Sequence, residues 1–434
     1  MSLFGSLNIG VAGLAANSAA LSATSANIAN VNTVGYKQAT TNFSTFLNST
    51  GLGGGGQAGV TAIIGQDVTT QGLPITTSSP TDLSISGNGF FVVSPTPTSS
   101  VQEYTRAGSF NPDTNGYLVN SAGLYLRGWA LDSQGNIPTN TGDLSLINVS
   151  SVLGKAQATD NLGLQANLQS SAAVISPYSA GDMADGTVKP DFQRTINVYD
   201  SQGGSQPLTF SFAKTAANTW AYEITYAGAP ANVGGTDPLF SGTMSFNTDG
   251  SLAAADTAAA TPSGSISLNI PWAASTGLAA QTISINLGTV NGTGGVTQYD
   301  STSTLNASTA NGKPFGTING VTVAKDGTVT AQFSNGLAQD IYKIPVATFA
   351  NPDGLAQVSG NAYIANKASG AADINVADSG AAGGIASKSL EGSTVDLATE
   401  FTNLITTQRA YSASARIITT ADQMLQQLEQ LPTN

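Results

Sequence analysis

Large apolar residues recur at Leu7, Val11, Leu14, Leu21 and Ile28, a 3-4 alternation that places them on one stripe of a helix, with Ser18 and Ser25 filling the remaining stripe positions. Small residues such as Ala15, Ala16, Ala19, Ala20 and Ala26 lie between them and let a neighbouring backbone come close. Near the other end Leu397, Phe401, Leu404, Tyr411, Ile418 and Leu425 trace a second stripe. Ser393 followed by Asp396 reads as a capping box for this helix, and Pro432 stops it. These signals make it about 38 residues long, near 55 Å at the α-helical rise. An amphipathic helix gains little from propensity alone and must bury its stripe. The two ends are therefore predicted to pack on each other, or on copies of themselves in adjacent molecules, with the rest of the chain nested between them.

From Leu83 the period changes to two. Leu83-Ser84-Ile85-Ser86 alternates, Gly87-Asn88-Gly89 turns, and Phe90 to Val93 runs apolar. Further strands are predicted at Thr195 to Tyr199, Leu208 to Phe212, Trp220 to Tyr226, Ser265 to Ile270, Thr282 to Leu287, Val321 to Val323, Val329 to Phe333 and Ile341 to Phe349. Aspartate-led turns separate them at Asp113, Asp132, Asp200, Asp249 and Asp326. Residues 34–70 read as a connecting segment whose glycine run, residues 51–59, supplies a hinge or turn. Gly54, Gly56 and Gly59 fit G-x-G-x-x-G, but no clear strand precedes them and no helix start follows, so a turn is favoured over a phosphate loop.

The fold class that results is a mainly β multi-domain chain of nested, discontinuous β domains, with the N- and C-terminal α-helices paired as a coiled-coil-like terminal domain. Residues 1–33 with 393–434 form that terminal domain and 34–70 the connection. Residues 71–152 with 308–386 form an inner β domain, and 153–307 an outer one.

Composition narrows the chemistry. The 434 residues include no Cys and no His, which removes disulfides, thiol nucleophiles, zinc thiolate sites and the commonest general base. Only 9% are charged, and 14 Lys+Arg against 26 Asp+Glu give a net charge of -12, which repels a phosphate backbone. No nucleic acid, cofactor or metal is expected; Asp113 to Gly116 lacks the acidic series and closing Glu of a calcium loop. No apolar stretch is long enough for membrane insertion, and Lys37, the first cation, comes too late for a secretory leader. Without G-x-S-x-G, a Walker sequence or a selected carboxylate pair, the chain is expected not to be an enzyme.

The ends resemble the flagellar rod and hook family. Ala26-Asn27-Ile28-Ala29-Asn30-Val31-Asn32-Thr33-Val34-Gly35-Tyr36-Lys37 is similar to the family's N-terminal signature, and Thr407-Gln408-Arg409-Ala410-Tyr411-Ser412-Ala413 to its C-terminal one. Ser86 to Phe91, Arg106 to Phe110 and Asn115 to Leu118 resemble the adjoining β domain. Leu164 to Leu168, Val198 to Gly203, Trp220, Phe333 to Gly336 and Phe349 to Leu355 resemble the longer hook members rather than the distal rod.

The resemblance implies a structural subunit that self-assembles into a flexible tube transmitting torque from rod to filament. It implies export through the flagellar apparatus without a cleaved signal peptide, an extracellular place in the hook, and rod proteins, hook cap and hook–filament junction proteins as partners. The candidate polymerisation interface is Leu7, Val11, Leu14, Leu21, Ile28, Leu397, Phe401, Leu404, Tyr411, Ile418 and Leu425, with Asn27, Asn30 and Arg409 from the two signatures. A distal rod protein is the near alternative. A β-rich surface adhesin is the distant one, which would work without its terminal helices.

Overall fold

The computed structural model describes residues 3–48, 57–132, 134–152, 154–258 and 263–429. Two compact units divide the chain: Met1–Ser151 with Gly320–Gln332 and Ala338–Asn434, and Val152–Asn319 with Phe333–Leu337.

The first unit contains both long helices. Helix α1 spans Leu3–Ala29 and α2 spans Leu397–Glu429. The start of α2 differs from the sequence reading. Asp396, not Ser393, caps it: the Asp396 Oδ1 accepts the Thr399 N–H at 2.7 Å, while the Ser393 hydroxyl accepts only the Val395 N–H just outside the helix. A carboxylate beside the first free amides suits the positive end of the helix dipole, so the cap falls on the nearer acid. The observed 33 residues make about 50 Å of helix. Pro432, the expected stop, lies outside the described residues.

Residues 34–70 are more regular than a connection. They carry two antiparallel strands, β1 (Ala39–Asn48) and β2 (Gln57–Gln66), in register from Ala39 opposite Gln66 to Asn48 opposite Gln57. Strand therefore stands on both sides of the glycine run. Gly54 and Gly56 lie outside the described residues, and Gly59 pairs with Phe46 on β2.

The largest sheet of the unit has a central strand, Phe90–Ser94, that is buried at every position. Burial on both faces explains its unbroken apolar run. It pairs with Glu103–Thr105, Tyr125–Ala130 and Pro345–Thr348, which brings residues about 255 apart into one ladder. Phe90, Tyr104, Trp129, Ala347 and Tyr363 form the core, with Phe349 edge-on to Phe90 and Tyr104. The single strand predicted over Ile341 to Phe349 is two, Ala338–Lys343 and Pro345–Thr348, broken at buried Ile344.

The second unit holds two five-stranded sheets. In one, Asn161–Gln169 runs parallel to Gln281–Asn286 and Val296–Tyr299 and antiparallel to Thr304–Ala310. The other is a meander from Phe192–Tyr199 through Ser205–Ala216, Thr219–Tyr226 and Phe240–Phe246 to Leu252–Ala254. Leu162, Leu164 and Leu168 of the first sheet share a core with Phe210, Trp220, Tyr222 and Ile224 of the second. Ser265–Ile270 and Gln281–Asn286 alternate buried and exposed positions, the signature of strands with one face on a core.

Candidate assembly surface and the joint beneath it

Helices α1 and α2 pack antiparallel within one chain, and small residues make the seam. The buried positions of α1 are Gly5, Gly10, Gly13, Ala16, Ala20, Ala23, Thr24 and Asn27, with three- and four-residue steps from Gly10 to Ala23. A Cβ at Gly10 would lie 2.8 Å from the Ile418 Cγ1, and one at Gly13 would lie 3.0 Å from the Ser414 Oγ. On α2, Glu400 and Ala421 are buried, and Leu404, Thr407, Ser414, Ile418 and Leu425 half-buried. Without bulky residues at the buried positions of α1, the backbones approach closely and its larger side chains stand off the seam.

That geometry splits the predicted interface. Asn27 is buried; Leu404, Ile418 and Leu425 are half-buried along the α2 seam; Leu7, Leu14, Leu21 and Ile28 are half-buried on α1, as is Asn30 just past its end. Val11 is 55% exposed, Phe401 51%, and Leu397, Arg409 and Tyr411 also face outward. The sequence reading missed Ile405, Ile417 and Met424 on α2 and Phe43, Ile63 and Ile64 on the β1–β2 hairpin, all exposed large apolar residues. The row Leu397, Phe401, Ile405 at four-residue steps carried a signal for the first of these. So many exposed large apolar side chains on one pair of helices and its hairpin make this a candidate contact surface.

Beneath this surface, the N-terminal signature residues build a buried polar joint. The Asn27 Nδ2 donates to the Ala39 carbonyl at 2.8 Å and to the Glu400 Oε1 at 3.1 Å, while its Oδ1 accepts the Ala39 N–H and the Tyr36 hydroxyl. Burial, then the nearby Glu400 carboxylate, pushes the Tyr36 phenol up. Gly35 sits at φ +67° with Arg106 backbone atoms within 2.8 Å of where a Cβ would stand, so a side chain is excluded there.

Lys37 is fully buried. Its ammonium donates to the Glu391 Oε1 at 2.6 Å and to the Thr70 carbonyl. The other carboxylate oxygen of Glu391 accepts from Arg106 at 3.0 Å, and Arg106 also bonds the Ile85 and Gly87 carbonyls and lies over the Phe90 ring. Burial pulls the Lys37 ammonium down, and Glu391 partly restores it. Lys37 follows α1 and Glu391 precedes α2, so one buried carboxylate ties both chain crossings to the sheet through Arg106. No helix among the described residues is long and apolar enough to cross a membrane. The turn aspartates are engaged by backbone: the Asp113 Oδ1 accepts the Asn115 and Tyr117 N–H groups.

Four protein-family models match the chain. They are the flagella basal body rod protein at residues 7–37, the flagellar hook protein FlgE/F/G D1 domain at 84–152, the flagellar basal body protein FlaE D2 domain at 164–313, and the flagellar basal body rod FlgEFG protein C-terminal at 386–431. The chain is 32% identical to the flagellar hook protein FlgE of Caulobacter vibrioides, over 99% of both chains. It is 35% identical to that of Rhizobium meliloti, over 99% of this chain and 100% of the relative. A crystal structure of Helicobacter pylori flagellar hook protein FlgE2 aligns with 73% of this chain and 100% of that one, at 13% identity and a TM-score of 0.44.

Proposed function

The chain belongs to the flagellar hook protein family and is a non-enzymatic, self-polymerising structural subunit of the hook, and from that premise we propose that it polymerises through the outward face of its terminal helix pair. The surface comprises Leu7, Val11, Leu14, Leu21, Ile28, Leu397, Phe401, Tyr411 and Arg409, joined by the seam residues Leu404, Ile418 and Leu425, with Asn27 and Asn30 fixing the base of α1. The observation that carries this reading is the small-residue seam. Pairing within one molecule leaves Val11 and Phe401 more than half exposed. Burying each such side chain against a sibling contributes ~1.5–3 kcal/mol, so a repeated contact of several is enough to hold a polymer.

In this reading residues 1–33 with 393–434 form the inner wall of a flexible tube. Residues 34–70 connect that wall to an inner β domain, 71–152 with 308–386, and 153–307 form the outer domain. The buried Lys37–Glu391–Arg106 joint carries load between helices and sheet while the tube transmits torque from rod to filament. The partners are further copies of the chain, rod proteins, hook cap, hook–filament junction proteins and the export apparatus, which passes the subunit out of the cell without a cleaved signal.

Removal of residues 394–434 tests the proposal. The shortened chain is expected to stay soluble and β-rich by circular dichroism and to form no tubes by electron microscopy. Normal tubes from it would overturn the reading.

A further inference from the structure

A short antiparallel ladder of Pro74–Thr76 and Ser389–Glu391 lies where the chain passes from sheet to α2, and its two faces differ. Glu391, opposite Pro74, turns inward to Lys37 and Arg106. Ile75, opposite Leu390, is on the other face, and strand alternation puts Leu73 there too. The Leu73 carbonyl accepts the Gly392 N–H at 2.8 Å, which carries the ladder one residue further, and the Ile75 Cδ1 lies 3.4 Å from where a Gly392 Cβ would stand. Leu73 is 82% exposed, Ile75 52% exposed and Leu390 half-buried, so three aliphatic side chains share one outward face. Residues 68–81 carry no charge, and of residues 384–395 the one exposed charged side chain is Lys388. It is held at φ +56°, where glycine is the cheaper residue, and forms no ion pair among the described residues.

We propose that this face is a second contact between copies of the chain, in which a neighbouring subunit covers Leu73, Ile75 and Leu390 and presents a carboxylate to Lys388. Two arguments select a second copy. A subunit of net charge -12 approaches its own kind at least cost where exposed acid is absent and a spare cation stands, and this face offers both. One repeated head-to-tail contact produces a single open strand of subunits, so a tube needs a further contact to join strands into a wall. The inference rests on the tube proposed above and places the joining contact on a β ladder, apart from the helix pair.

The chain has no cysteine, so Leu73→Cys supplies a single thiol for the test. Diluted into an excess of native chain and grown on native seeds, it is expected to react with a maleimide about tenfold more slowly in tubes than as a monomer, because a covered thiol loses access to the reagent. Leu73→Asp should melt with the native chain, since the side chain it replaces is already in water, and should raise the critical concentration for seeded elongation about tenfold. Lys388→Glu should raise it less, and that rise should shrink in high salt. Equal thiol reactivity in monomer and tube overturns the proposal. Growth of Leu73→Asp at the native critical concentration overturns it too, and assigns the face to a protein other than a second copy. Native chain that grows no tube fails the underlying reading and takes the proposal with it. If instead the chain lacking residues 394–434 still elongates, the helix-pair reading has failed while protection of the thiol stands.

Discussion

At the residue scale, buried carboxylates decide more than their number suggests. Glu391 stands between two buried cations, so removing its charge leaves both uncompensated, whereas removing Lys37 leaves the Arg106 pair intact. Glu391→Gln is expected to destabilise the first unit by about 3–5 kcal/mol in urea unfolding, with Lys37→Met costing clearly less. Glu223, fully buried in the second unit, accepts from the Tyr178 hydroxyl and from the Gly181 and Ala184 N–H groups, each at 2.7 Å. That carboxylate shapes the loop between residues 178 and 184. Glu223→Gln turns one acceptor toward donors and should cost about 1–3 kcal/mol, with proteolysis appearing first between residues 178 and 184. Asp67 supplies the pH dependence. The Thr70 hydroxyl, with lesser help from Thr69 and the Thr70 N–H, holds its carboxyl below the ordinary carboxylate value. A folded value below the unfolded one stabilises at pH above the unfolded value, and the stabilisation is lost as pH falls through the folded one. The melting-temperature advantage of the native chain over Asp67→Asn should therefore be full above the ordinary carboxylate range and shrink as pH falls below it. None of these partnerships was legible in the chain. Lys37 and Glu391 are bonded across 354 positions, and no local period records such a pairing.

At the element scale, both long helices were legible because their stripes are periodic, and the α2 stripe does reach the seam at Leu404, Ile418 and Leu425, whereas on α1 the small residues between the stripe positions make it. Bulky residues were expected to meet one another, but the α1 seam runs through Gly10, Gly13, Ala16 and Ala20 instead. The alanines had been noted as permitting close approach. What could not be weighed was that two stripes on one helix, small and large, can serve two different neighbours. The hairpin at residues 39–66 was missed for a related reason: Thr, Asn, Ala and Gly dominate it, and its exposed Phe43, Ile63 and Ile64 break the one-face alternation that marks a strand. If the seam depends on close backbone approach, Gly10→Leu must push Ile418 aside at a site where even a Cβ comes within 2.8 Å. Overpacking of this kind costs about 1–3 kcal/mol and falls on the helix pair alone. Seeded elongation should weaken while the β units melt unchanged, and shortening the obstacle with Ile418→Ala should restore part of the growth. A Gly10→Leu chain that elongates normally would show that the pair tolerates separation.

At the scale of the whole molecule, nesting follows from where the chain enters and leaves its second unit. Lys155 pairs with Gly316 in a short antiparallel ladder, so the entering and leaving segments run side by side. A unit closed at its own neck can be inserted into a host without reordering the host's sheet, because the loop it replaces has ends already close together. Composition alone showed only that this middle stretch was β; its parallel neighbours, Gln281–Asn286 and Val296–Tyr299 beside Asn161–Gln169, come from distant sequence and leave no turn signal to read. The neck yields a decisive experiment on where assembly resides. Replacing residues 154–317 with a short Gly-Ser turn deletes most of the second unit but keeps α1, α2, the hairpin and the buried Lys37–Glu391–Arg106 joint. Turn residues 333–337 lose partners such as the bond from Asn335 to the Pro314 carbonyl, a cost of about 1 kcal/mol per bond that a sheet centred on Phe90–Ser94 can absorb. The excised chain should fold cooperatively and still elongate native seeds, giving thinner tubes in electron micrographs. Should it fold but add to no seed, the second unit would be part of the polymer contact, and the helix pair could not be the sole seat of assembly.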